Sequence, residues 1–145
     1  MSEFCINLLD YHTASPPELE KYAELFLRYD PVRWNVGSGG GSFVYVDDAA
    51  NKWALVLTHA AGLGFSLFFN ARLAGAKRST EFISVGNPAL INDFCNIEDG
   101  IILPRGSFVG PADAWKAVED FAAAPAVKSS RLTWVSTSDL NWPEM

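Results

Sequence analysis

Hydrophobic residues recur along this chain with two periods, and the switches between them mark out its elements. Leu19, Tyr22, Ala23, Phe26 and Tyr29 fall at helical spacing and direct one apolar stripe at a core. Just ahead, Ser15 and Glu18 are spaced as a capping box, with Pro16 suited to the first helical position. The spacing predicts a helix over Pro16 to Tyr29. It ends before Pro31, because the residue preceding a proline disfavours the helical region. Upstream, Phe4 to Leu9 is short and apolar and reads as a strand.

After this helix the pattern shortens. Val36 to Ser42 is glycine-rich and predicts a flexible or sharply turned loop. Three strands follow, over Phe43 to Asp47, Trp53 to His59 and Gly64 to Phe69. The polar segment Asp47 to Asn51 and the small residues Ala60 to Leu63 supply the two hairpin turns. Glu81 to Val85 reads as another strand, closed by Gly86-Asn87-Pro88, and Ile101 to Leu103 as an edge strand ending at Pro104. Helical spacing returns at Pro111 to Ala123, where Trp115, Val118, Phe121 and Ala122 share a face. Leu132 and Trp134 alternate on a final strand, so Trp134, like Trp115, is expected in the core. This order predicts one α+β domain over residues 1–145, a mostly antiparallel sheet with an N-terminal and a C-terminal helix packed on one face. The other face is expected to be partly solvated or covered by loops.

Composition narrows the function classes. The chain has 145 residues, 49% apolar and 19% charged, which suits a folded globular domain and excludes a disordered one. A formal charge of −6 argues against direct nucleic-acid binding, which needs a basic patch, and suits a basic protein partner. The longest apolar stretch, Ala54 to Phe69, is interrupted by His59, Gly62, Gly64 and Ser66 and is too short to span a bilayer. With Glu3 and Asp10 near its start and no basic leader, the chain is expected to be cytoplasmic. Cys5 and Cys95, each inside an apolar run, are expected to be buried reduced thiols.

No constellation for catalysis emerges. The glycine run lacks the Lys and following helix of a phosphate-cradling loop. Neither His12 nor His59 has ligand-type neighbours at metal-binding spacing, and His59, ending an apolar strand, reads as a structurally satisfied imidazole. Ser107 lies outside any nucleophile-elbow context and belongs to a turn. The expectation is therefore a non-enzyme without metal or cofactor. The remaining polar candidates, Asp47, Asp48, Asp93, Glu98 and Asp99, fall in turns, where carboxylates are either solvated or positioned to meet cations on a partner. Trp34 and Trp142 lie beside Pro, Asn or Asp and are candidate interface anchors, packing under a loop being the alternative for each.

The segment from Leu103 to Val135 carries a more particular pattern. A proline-glycine turn falls on Leu103-Pro104-Arg105-Gly106-Ser107, an Ala-rich acidic helix on Ala112 to Phe121, and a closing Trp strand on Leu132-Thr133-Trp134. Ser84-Val85-Gly86-Asn87 adds a strand-plus-turn before a variable loop. These features resemble immunity-protein family one, whose members neutralise deaminase-type toxins of bacterial polymorphic toxin systems. The resemblance covers roughly the last 65 residues, and the N-terminal half only in the order of its elements. It implies non-catalytic binding to a cognate toxin domain, a nucleic-acid or nucleotide deaminase, with the toxin's cleft blocked. The alternative from another class is a small-molecule-binding or enzymatic α+β domain with a pocket lined by Phe65, Phe68 and Phe69. Homo-oligomerisation stays open.

Overall fold

The computed structural model describes residues 3–9, 11–13, 18–34, 40–98 and 101–143. Side chains of residues 11–13 and 98 are not among those described, and the proposed cap at Ser15 and Pro16 lies outside the described residues. Strands β1 (Glu3–Leu8) and β2 (Tyr11–Thr13) precede helices α1 (Leu19–Leu27) and α2 (Pro31–Trp34). Then come β3 (Gly40–Val46), β4 (Lys52–Ala60), β5 (Gly64–Arg72) and β6 (Thr80–Ser84). The chain continues through β7 (Phe94–Glu98), β8 (Ile101–Pro104), β9 (Phe108–Val109), α3 (Pro111–Ala123) and β10 (Trp134–Ser136). The main sheet runs β10-β6-β5-β4-β3-β1-β2, with β9 added to β5 beyond the end of β6, and β7–β8 form a separate ribbon. Every pairing among these strands is antiparallel. The α+β class with terminal helices is thus the observed one.

Alternation along the strands explains which face the helices cover. Ile6, Leu8, Phe43, Leu55, Leu57, Phe65, Leu67 and Phe69 point to one side and pack with Tyr22, Leu25 and Phe26 of α1 and Trp115, Val118 and Phe121 of α3. Cys5, one residue out of phase with Ile6, is an exposed free thiol, and Cys95 is a half-buried one. The expected burial of Cys5 therefore fails, because period two sends it to the outer face. On that face, the β7–β8 ribbon covers one end of the sheet, where Ala60, Leu103 and Phe108 form a second cluster with Phe68, Cys95 and Ile97.

Two connections are fixed by particular side chains, and the first differs from expectation. The first helix stops at Leu27, but Pro31 opens another short turn of helix instead of a loop. The Asp30 carboxylate accepts from Val32 N at 3.0 Å, and the proline takes the first helical position, where no donor is needed. At the C-terminal side, Arg131 ties the approach to β10 onto α3. Its guanidinium donates to both Asp120 oxygens at 3.0 and 2.7 Å and to the Lys116 carbonyl at 3.1 Å. The Arg131 bonds, together with a 2.5 Å bond from Ser129 Oγ, hold the Asp120 carboxyl below its usual range.

Candidate partner-binding surface

Three segments singled out by sequence pattern converge on one node. Gly86 N and Asn87 N both donate to the Gly106 carbonyl, at 2.7 and 3.0 Å, and Val85 N donates to the Thr133 carbonyl at 2.8 Å. Ser84 Oγ donates to the Ser107 carbonyl at 2.6 Å and accepts from Leu67 N at 3.0 Å. Ser107 Oγ donates to the Pro104 carbonyl at 2.7 Å and accepts from Ser66 Oγ at 2.8 Å. All three serines are buried, and each hydroxyl is hydrogen-bonded within the node. The glycines are required by contact: a Cβ on Gly86 would lie 2.0 Å from the Phe108 carbonyl oxygen, and one on Gly106 2.2 Å from that of Asn87.

The node fixes the segment that leaves it. Asn87 caps a short 3-10 turn, Pro88–Leu90, by accepting from Ala89 N at 3.0 Å. Arg105 N donates to the Asp93 carbonyl at 2.7 Å, and the Arg105 guanidinium approaches the Asp93 carboxylate at 3.6 Å. Asn92 accepts from Asn141 N at 2.9 Å, which brings the C-terminal segment alongside. There Trp142 packs against Phe94 with ring centroids 5.1 Å apart, its indole N–H donating to the Thr137 carbonyl at 2.8 Å. Trp142 keeps 37% of its surface exposed and Leu90 38%. The result is an amphipathic aromatic patch with Asp93 and Arg105 at its margin, held by backbone bonds.

The other predicted residues are distributed differently. Trp34 is fully buried, with its indole N–H donating to the Leu25 carbonyl at 3.0 Å and its ring against Phe26 and Phe65. It is core, not an interface anchor, because the α2 turn rotates it inward. Asp47 has a local structural task. Its carboxylate accepts from Ala49 N, Asn51 N and Asn51 Nδ2 at 2.9, 2.9 and 3.0 Å, and these bonds lower its pKa. Asp48 is exposed on the same turn. That turn joins the sheet at Val46 and Lys52, level with Arg72 of β5, whereas the Asp93 segment is anchored near Ser66, roughly 20 Å away along β5. The two acidic groups therefore do not form one continuous patch. Glu98 ends β7, its side chain is not described, and Asp99 lies outside the described residues. Phe94 and Leu90 went unflagged in the sequence, although Asn87-Pro88 ahead of them is a recognisable turn-capping pair.

His59 is 4% exposed, within ring contact of Tyr29, Trp34 and Phe65. Its Nε2 lies 2.5 Å from the Tyr29 hydroxyl, while its buried Nδ1 has no partner among the described residues, so only one ring nitrogen is satisfied there. Burial lowers its pKa and favours the neutral ring. The side chain of His12 is not described. Among the described residues, no group of three or more His, Cys, Asp or Glu side chains converges to hold a metal ion. Nor is any helix among them long and apolar enough to cross a membrane. Phe65 and Phe69 face the helices and Phe68 the opposite side, so these rings do not line a common pocket. Comparisons with family models, curated proteins and solved structures return no match to this chain.

Proposed function

We propose that this protein is an immunity protein that binds a cognate bacterial toxin domain in the cytoplasm and blocks its substrate cleft without chemistry of its own. The observation that carries the reading is the half-exposed Trp142–Phe94 pair beside Asp93. An amphipathic indole on a preorganised backbone is the kind of group that dominates interface energies. The node holding it is built from the segments that carry the family resemblance, Ser84–Asn87, Leu103–Ser107 and Leu132–Trp134. A nucleic-acid or nucleotide deaminase is the toxin class which that resemblance implies. Steering would come from the net charge of −6, and exclusion of substrate from burial of the aromatic patch.

Co-expression with a toxin domain encoded beside this gene tests the proposal. Survival and co-purification are expected with the parent protein and are lost in Trp142→Ala combined with Asp93→Lys. Survival that is indifferent to both changes would remove the patch from the account, and failure of the parent to protect would remove the immunity function.

A further inference from the structure

We propose that the part of the outer sheet face left open by the β7–β8 ribbon carries a second site, a groove that takes a small dianionic ligand bearing phosphate or carboxylate groups. The hairpin register sets Lys52 of β4 directly opposite Arg72 of β5. Like charges directly opposed across an antiparallel pair destabilise it. Among the described residues, neither cation has an ion pair, although this acidic chain elsewhere pairs Lys21, Arg105, Lys116 and Arg131 with carboxylates. Glu81, which faces Asn70 from β6, forms no ion pair with either of them. The two cations border a groove of about 360 Å³ floored by Ala54 and Val56, with Asn70 and Ser79 in its lining. Asn70 adds an independent observation, because among the described residues its buried Oδ1 has no hydrogen-bond partner.

These features assign complementary parts to the ligand. Its oxyanions would lie between Lys52 and Arg72, relieving their repulsion, with the planar guanidinium able to engage two oxygens together. The apolar floor suits a short carbon body. The site lies on the open part of that sheet face, away from the Trp142 patch, and the inference does not depend on toxin binding.

The test uses the free full-length protein, with amide chemical shifts followed during titration with inorganic phosphate or with succinate, against sodium chloride at matched ionic strength. Saturable shifts at Ala54, Asn70 and Arg72 are expected with one or both anions and not with chloride. Response to phosphate alone identifies a phosphate-bearing ligand, and response to succinate alone a dicarboxylate. Lys52→Gln with Arg72→Gln should weaken binding by roughly tenfold or more. It should also raise the Tm of the anion-free protein at low salt, by ending the repulsion. If the double variant does not fold, the two single variants carry the same comparison. Shifts that never saturate, or that persist undiminished in the variants, overturn the proposal.

Discussion

Trp115, Trp134 and Trp142 illustrate how one residue type is put to three uses. Trp115 is 8% exposed and packs on Phe26 at 5.5 Å, so truncation to Ala should cost about 3–5 kcal/mol in denaturant unfolding. Trp134, expected to be equally deep, is half-buried near the sheet edge, with its indole N–H on the Ser129 carbonyl and its ring near Phe69. Its truncation should therefore cost clearly less, and equal losses would contradict this difference in depth. His59 makes a separate prediction. Its folded pKa lies below the ordinary value of 6.5, so the unfolded chain takes up the proton first as pH falls. The stability from neutral His59 is fully present above that value and is lost as pH drops below it. Asp120, also depressed, contributes its own loss only at pH values near and below 3.8. Tm measured between pH 7.5 and 5 should fall in the parent and flatten in His59→Leu, pH limits chosen to span the imidazole range. An unchanged slope in the variant would show that His59 is not the group responsible.

At the scale of elements, local chemistry was legible and distant packing was not. Asp47 to Asn51 specifies its turn through bonds inside the turn, and Gly62, with φ of 79°, suits the next one. The Lys52–Arg72 pairing could have been read by counting outward from the Ala60–Gly64 closure, eight residues on each side. The strand Phe94–Glu98 leaves little trace in the sequence, because its strand partner among the described residues is β8, beyond residues that read as a turn. Of the two readings open for Trp34, burial is the observed one, because Asp30-Pro31 is a helix start as well as a helix stop. The glycines at the node show the same limit, since their close contacts come from remote backbone. Gly86→Ala and Gly106→Ala should both sharply lower Tm, outweighing the roughly 0.4–1 kcal/mol that reduced chain entropy returns at an unstrained site. Gly110→Ser, at the N-cap of α3 with nothing within 4 Å of a Cβ, should be neutral or raise Tm slightly. If the node substitutions melt like Gly110→Ser, the close packing of the three segments is wrong.

For the whole molecule, the sheet, its covered face and both principal helices followed from periodicity, because burial on one side of a sheet leaves alternation in the sequence. The candidate surface was legible only in part. Asp93 and Trp142 are brought to neighbouring places by β7 and the C-terminal segment, Asp47 is committed to its own turn, and Trp34 is committed to the core. An interface depends on which loops meet in space, and the segment that brings Phe94 beneath Trp142 is fixed by contacts far apart in the chain. The central claim is that a toxin domain is held through this patch. Its most direct test is the affinity of the purified protein for the toxin domain encoded beside it, measured for the parent and for Trp142→Ala with Asp93→Lys. Saturable binding is expected, weakening by at least roughly thirtyfold in the variant at a temperature where both proteins are folded, with a modest fall in Tm from the lost Phe94 contact and Arg105 pair. Equal affinity of parent and variant, or no binding by the parent, would contradict that claim.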